Sequence, residues 1–426
     1  MSAAAEFCAT LGKEIYGYDK CRSPQTIRLE KMAKIKYSST PDNIKGMDIV
    51  VYTNAISTQN LEYRHAKRLK IPLVSRGNFL GYLISLHKRG IGISGAHGKS
   101  TVTAMLAHIF NQAEENPTVF CGAEMIDFGS NFRFGGRTCC IFEACEYQNS
   151  FLNLPTTDAA VLNIDYDHPD FFKSLEDLKS SFQKYISGAK RVFLNCDDPN
   201  AKELCHKSTV TFGFDKHATY RAMLDTEKNV ENTASGQTVF SVIRQGEYLC
   251  TVAIPFKGKH MVYDALCAFA IAHSNGLPVS EICHALSTFS GTKRRLEFLQ
   301  KSDTGADIFE DYAHHPTEIQ ASLSSLREMG YRKILCVFQA HTFSRTHFLY
   351  DRFRESFKDA THLIIAPTFS AREENIFELS EERFAQDCGG EFIRNTEIIK
   401  KKVRETDCEC AVIMGAGDIS SVLNLK

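Results

Sequence analysis

Gly95-Ala96-His97-Gly98-Lys99-Ser100-Thr101 lies between the apolar run Gly90 to Ser94 and the helical pattern Val102 to Phe110. Strand, glycine-rich turn and helix in that order predict a phosphate-binding loop at the edge of a parallel sheet. Backbone N–H groups of such a turn, and of the helix start after it, are unpaired donors at the positive end of the helix dipole, so they can surround phosphate oxygens. Lys99 would set its charge against the β and γ phosphates, and the Ser100 hydroxyl would ligate the magnesium bridging them. The spacing G-x-x-G-K-S is shorter than the general phosphate-loop pattern. A plain glycine turn before a helix capped by Ser100 is the alternative, and the strand before and helix after weigh against it.

Outward from this loop, β-branched apolar runs alternate with amphipathic stretches. The runs are Asp48 to Tyr52, Thr138 to Phe142, Ala159 to Ile164, Arg191 to Asn195, Lys333 to Gln339, His362 to Ala366 and Ala411 to Met414. This alternation predicts an α/β fold with parallel sheets. Between Thr238 and Ile254 the rhythm shortens and is broken by Gln245-Gly246, which predicts a β-hairpin in or beside the middle domain. A chain of 426 residues exceeds what one core supports. Three domains are expected, residues 1–88, 89–295 and 296–426, divided near His87 to Arg89 and Gly291 to Arg295. At the start, Ala3 to Leu11 reads as a helix stopped by Gly12, and Glu14 to Tyr18 as a strand. A doubly wound domain opens instead with a strand and a glycine turn, so the first domain is expected to be Rossmann-like but truncated.

Lys plus Arg number 50 and Asp plus Glu 51, which excludes bulk attraction to nucleic acid or to an anionic membrane. No apolar stretch approaches the ~18 to 20 residues of a membrane helix. Met1 to Ala9 carry no basic segment followed by an apolar block, so a cytoplasmic location is expected. Fifteen cysteines are scattered through apolar runs. Neither Cys139-Cys140 nor Cys408-Glu409-Cys410 has C-x-x-C spacing, so they read as reduced core residues.

The loop at residues 95–101 is similar to the Gly-Thr-x-Gly-Lys-Thr/Ser nucleotide loop of the Mur ligase family, with Ala96 in place of the threonine. Glu143-Ala144-Cys145-Glu146 resembles that family's metal-binding glutamate segment. Asn163-Ile164-Asp165-Tyr166-Asp167-His168 resembles its Asn-Ile-x-x-Asp-His segment. Further on, Glu310-Asp311-Tyr312-Ala313-His314-His315-Pro316-Thr317-Glu318 and Phe338-Gln339-Ala340-His341-Thr342-Phe343-Ser344-Arg345-Thr346 resemble two more of its motifs. Arg294-Arg295 and the closing Gly415-Ala416-Gly417-Asp418-Ile419 complete the set, in the family's order.

The resemblance implies a Rossmann-like amino-terminal domain, a central P-loop-type ATPase domain and a Rossmann-like carboxyl-terminal domain. It implies an ATP-dependent ligase using UDP-N-acetylmuramate and L-alanine in peptidoglycan precursor synthesis. By the same resemblance ATP is held by Gly95, Ala96, His97, Gly98, Lys99, Ser100, Thr101, Arg294 and Arg295, and Mg2+ by Ser100, Glu143 and His168. Catalytic roles fall to Lys99, Glu143, His168, His341 and Arg345, and substrate contacts to Tyr312, His314 and Arg345. A ligase that attaches a preformed peptide to the same sugar nucleotide in cell-wall recycling, and a catalytically impaired nucleotide-binding relative, stay open as alternatives.

The chain departs from the family in places. No counterpart of the amino-terminal Gly-x-Gly-Gly-x-Gly loop precedes Ala3. The family's His-Asn-x-x-Asn-Ala reads His260-Met261-Val262-Tyr263-Asp264-Ala265. Met261 offers no paired donor and acceptor, and an ionised Asp264 only acceptors, so ATP recognition here is expected to differ. Pro169 is expected to hold His168 in an extended conformation.

Overall fold

Four three-residue strands open the chain: β1 (Tyr16–Tyr18), β2 (Lys34–Lys36), β3 (Val50–Tyr52) and β4 (Leu73–Ser75). They pair in parallel as two separate ladders, β1 with β2 and β3 with β4, rather than as one sheet. Parallel pairing needs a crossover, supplied by the helices Pro24–Leu29 and Leu61–Leu69. Ser23 caps the first by accepting from the Thr26 N–H, and Asn60 caps the second by accepting from the Tyr63 N–H. The structure, a computed structural model, describes residues 1–53, 56–224, 236–371 and 373–424.

The expected opening helix is Ser2–Thr10. It packs on the next unit, because Phe7 is fully buried against the rings of His87, Phe120, Phe132 and Phe134, 5.5 to 6.2 Å away.

The middle unit carries β5 (Arg89–Ser94), β6 (Thr118–Met125), β7 (Ser130–Arg133), β8 (Cys139–Glu143), β9 (Asp158–Val161), β10 (Arg191–Asn195), β11 (Thr209–Gly213), β12 (Tyr220–Leu224), β13 (Thr238–Arg244) and β14 (Glu247–Ile254). They form one sheet in the order β14-β13-β12-β11-β10-β9-β5-β8-β6-β7. Its centre is parallel, and the β6–β7, β12–β13 and β13–β14 pairings are antiparallel. The predicted hairpin is β13–β14, added at one edge. Its turn has φ of +51° at Gln245 and +91° at Gly246, as a tight two-residue connection between right-twisted strands demands. Apolar clusters cover both faces, one around the helices Lys99–Gln112 and Lys259–Ser274, the other around Phe142, Phe151 and Phe182. Burial on both faces is why β8 and β9 read as continuous apolar runs.

The third unit holds β15 (Glu297–Lys301), β16 (Asp307–Asp311), β17 (Ile334–His341), β18 (His362–Phe369), β19 (Glu391–Phe392) and β20 (Cys410–Met414). Their order is β15-β16-β20-β17-β18-β19, parallel except for β15. Two layers of apolar side chains again sandwich the sheet. The whole is a three-domain α/β protein, as expected. All fifteen cysteines are free thiols, but Cys21, Cys145 and Cys205 are exposed, which corrects the reading of the set as core residues. No described helix is long and apolar enough to cross a membrane.

Candidate active site

The chain leaves β5 toward β8 on one side and returns to β9 on the other. This is the switch point where open α/β sheets leave a crevice beyond their strand ends, and the 95–101 loop stands there. Gly95 and Gly98 have φ of +141° and +85°, and Gly98 stands at the N-cap of the helix Lys99–Gln112. Asn163, just past β9, braces the loop: its Oδ1 accepts from the His97 N–H (2.9 Å) and its Nδ2 donates to the His97 carbonyl (3.1 Å). Ser100 and Thr101 are buried in the first turn.

The Lys99 ammonium folds back over the loop. It donates to the carbonyls of Gly95 and Ala96 and meets Glu146 Oε2 at 3.2 Å. Burial works against its charge, but Glu146 and the other anions outweigh it and raise its pKa, so Lys99 stays cationic. Glu146 also faces His168 Nε2 at 3.9 Å. Glu143, at the tip of β8, accepts from the Gly122 N–H and from the Cys121 thiol (3.3 Å). That thiol lies 3.6 Å from the Ser100 carbonyl. Glu143 is thus linked through the Cys121 thiol to the Ser100 backbone, and His168 through Glu146 to Lys99. A hydroxyl, a carboxylate and an imidazole beside a phosphate loop suit a hard divalent cation that keeps part of its water.

His168 is not extended. Its φ is +57°, because its carbonyl closes a turn by accepting from the N–H groups of Phe171 and Phe172, and its own N–H donates to Asp167 Oδ1. The turn outweighs the preference imposed by Pro169. The ring lies 4.6 Å from that of Tyr147.

Across from these tips stand residues of the third unit. Arg345 donates through Nε and Nη2 to both oxygens of Asp167, at 2.9 and 3.2 Å, with both residues buried. Its Nη1 lies 2.9 Å from His341 Nδ1, and the His341 ring is 5.8 Å from that of His314. His314 in turn is 5.2 Å from Tyr312. Burial pushes His314 down to about 3, and burial together with Arg345 pushes His341 down to about 4. Both imidazoles are neutral at physiological pH. The predicted residues Tyr312, His314, His341 and Arg345 thus form one cluster abutting His168.

A second set of bridges lies beside the loop. Arg352 clasps Asp165 at 2.8 and 2.9 Å, and Thr317 donates to the same carboxylate at 2.6 Å. His97 contacts Asp165 and Glu318, each at 3.4 Å. Burial opposes its proton, but those two carboxylates outweigh it and raise His97 to about 9. Glu146, Asp165, Asp167, Glu318 and Arg352 were not singled out from the sequence. Their signal there is only membership of the quoted segments, and for Arg352 there is none.

Between the two units lies a cavity of about 660 Å³ reached by His97, Gly98 and Thr101 of the loop and by Asn195, His260, Met261, Asp264 and Phe289. Of the two linker arginines, Arg295 lines it and Arg294 does not. Arg294 instead donates to the carbonyls of Gly415 and Gly417 and pairs with Glu310 at 2.8 Å, fastening the third unit to its own closing segment. Both lie over the Tyr312 ring.

A glycine-rich loop at the switch point of the central sheet, faced by a polar cluster on the third sheet, is the arrangement of a nucleotide-dependent ligase. The chain belongs to the Mur ligase family: residues 1–88 match the Mur ligase family catalytic domain, 93–272 the Mur ligase middle domain, and 294–417 the Mur ligase glutamate ligase domain. It is 35% identical to UDP-N-acetylmuramate–L-alanine ligase of Clostridium novyi, covering 99% of this chain and 89% of that one. Its fold is similar to that of the Thermotoga maritima UDP-N-acetylmuramate-alanine ligase (TM-score 0.84, 24% identity, 100% and 95% of the chains). It is also similar to that of a murein peptide ligase of Psychrobacter arcticus (TM-score 0.72, 20% identity, 99% and 94%).

Proposed function

We propose that this protein joins L-alanine to UDP-N-acetylmuramate at the expense of ATP, through an acyl-phosphate, in the synthesis of peptidoglycan precursors in the cytoplasm. Identity of 35% along almost the whole chain to a ligase of that name supports the substrate assignment. The observation that carries the chemistry is the meeting of Lys99, Glu146 and His168 with Asp167, Arg345 and His341 at the junction of two sheets. In this reading residues 1–88 hold the sugar nucleotide, 89–295 the ATP and 296–426 the amino acid.

ATP occupies the cavity with its phosphates on the 95–101 loop. Lys99 leaves Glu146 for the γ-phosphate, and being cationic throughout it neutralises charge as the phosphoryl group passes to the muramate carboxylate. Ser100, Glu143 and His168 would hold Mg2+, which supplies further neutralisation of the phosphate oxygens. ADP leaves and a mixed anhydride remains. Arg345 keeps Asp167 on Nε and Nη2 and turns Nη1 from His341 to the alanine carboxylate, while the neutral rings of His314 and His341 lie beside the amine without repelling it. The amine attacks the acyl carbon, the amide C–N bond forms as the acyl C–O bond to phosphate breaks, and the protons the amine sheds pass to the departing phosphate and to solvent. Bridges from Asp165 and Asp167 to the third unit hold the two sheets together and keep water from the anhydride.

Lys99→Ala is expected to abolish ADP release in the presence of UDP-N-acetylmuramate and L-alanine while far-UV circular dichroism is unchanged. Near-normal ADP release would overturn the proposal. A substrate panel provides the second arm, in which L-alanine is turned over and a tripeptide is not.

A further inference from the structure

Five acidic side chains line the interdomain cavity: Asp165, Asp198, Asp264, Asp311 and Glu318. Four are answered. Asp165 is clasped by Arg352 and Thr317, and Glu318 by His97, Arg295 and the His314 N–H. Asp198 accepts from the N–H groups of Ile164, Asn200 and Ala201. Asp311 accepts from those of Leu296 and Ala313 and from the Ser322 hydroxyl. Asp264, 7% exposed on the helix Lys259–Ser274, receives no hydrogen bond among the described residues.

Its position is tight. A Cβ placed on Gly98 would come within 2.5 Å of Asp264 Oδ1 and 3.0 Å of a Leu162 methyl, so the carboxyl lies directly beneath the phosphate loop. The cations it feels are Arg295 and His97, and both are engaged with Glu318. On its own helix His260 is held neutral by burial, at about 4, Tyr263 turns its hydroxyl to Asp197 (2.8 Å), and the Cys267 thiol is buried and held protonated. Burial outweighs the two cations and pushes the Asp264 carboxyl up to about 8.

We propose that Asp264 is a nucleotide-positioning residue that works as a neutral acid: protonated, it supports the phosphate loop without opposing a polyanion, and ionised, it expels the nucleotide. The inference rests on the reading of the cavity as the ATP site. Only the protonated form accepts ATP, so nucleotide affinity falls by about tenfold per pH unit once the medium is well above the carboxyl's own value. The KM for ATP rises and kcat at saturating ATP does not fall with it.

The test is direct ATP binding by calorimetry, between about pH 6.5 and 9.5, on the wild type and on Asp264→Asn, which keeps the shape and cannot ionise. The wild type is expected to lose affinity in the alkaline half, and Asp264→Asn to lose at least tenfold less. His97 also titrates in that range and is untouched in both, so parallel curves would assign the loss to it and overturn the proposal. Should the variant not fold, wild-type kinetics suffice: a KM for ATP that is flat from about pH 7 to 9.5 overturns it as well. Failure of the wild type to bind ATP at any pH would instead remove the nucleotide reading of the cavity, and this inference with it.

Discussion

Asp167 and Arg345 show what a single buried ion pair can carry. Both are almost fully buried and joined by two hydrogen bonds, so removing one partner leaves an uncompensated charge in a dry place. Arg345→Ala is expected to cost about 3 kcal/mol in urea unfolding at neutral pH, besides any loss of turnover. The Asp167 carboxyl is held well below its ordinary value: burial works the other way, but Arg345 and His168 outweigh it. A depressed folded-state value stabilises above the unfolded carboxylate range, near ~3.9, and that support is lost as pH falls. The gap between wild type and Arg345→Ala should therefore narrow in acid, which unfolding curves at a series of pH values would check. The sequence marked Arg345 and not its partner, because the two are 178 positions apart and no local pattern links them. Glu146 escaped for the opposite reason. It sits beside Glu143 in one short segment, and only the coordinates show that Glu146, not Glu143, holds Lys99.

At the level of elements, the longer legible strands were those buried on both faces, whereas β3, read from Asp48 to Tyr52, is only half-buried. Runs such as Lys333 to Gln339 and Ala411 to Met414 became β17 and β20, every residue of β20 buried. Strand β12 went unread because it joins the sheet beside the hairpin and leaves Met223 and Leu224 exposed, so its pattern is neither continuous nor alternating. β6 was missed too: its first half is buried but Gly122 is exposed, which breaks the run. The hairpin was legible through its turn. Gly246 at φ +91° has open space around it, so Gly246→Ala meets no clash and suffers only the backbone penalty of about 1 to 2 kcal/mol. Thermal unfolding should register that loss, and ATP turnover should not, since the turn lies outside the cavity lining.

At the level of the molecule, motif order predicted three domains but could not say which charges bridge them. Among the bridges are Arg345 to Asp167, Arg352 to Asp165, and His97 to Glu318. His97 gains its partners in this arrangement, and its folded value of about 9 lies above the ordinary ~6.5 of histidine. A raised value gives support that is complete below ~6.5 and is withdrawn as pH climbs through about 9. Small-angle scattering is expected to record a larger radius of gyration above about pH 9, and Arg352→Ala should bring that expansion to lower pH. The exposed half of the Arg352 side chain limits its weight in global stability, so the melting temperature should scarcely move.

The ring of Phe7 has a bearing on how the protein can be divided. It comes from the first helix yet fills a socket of aromatic rings belonging to the neighbouring body. Severing the chain at residue 88 would thus leave the longer fragment with an oily, unstoppered hole and the shorter one with a greasy peg. Each would be stickier than its parent, and mixing the two should restore solubility that neither possesses alone.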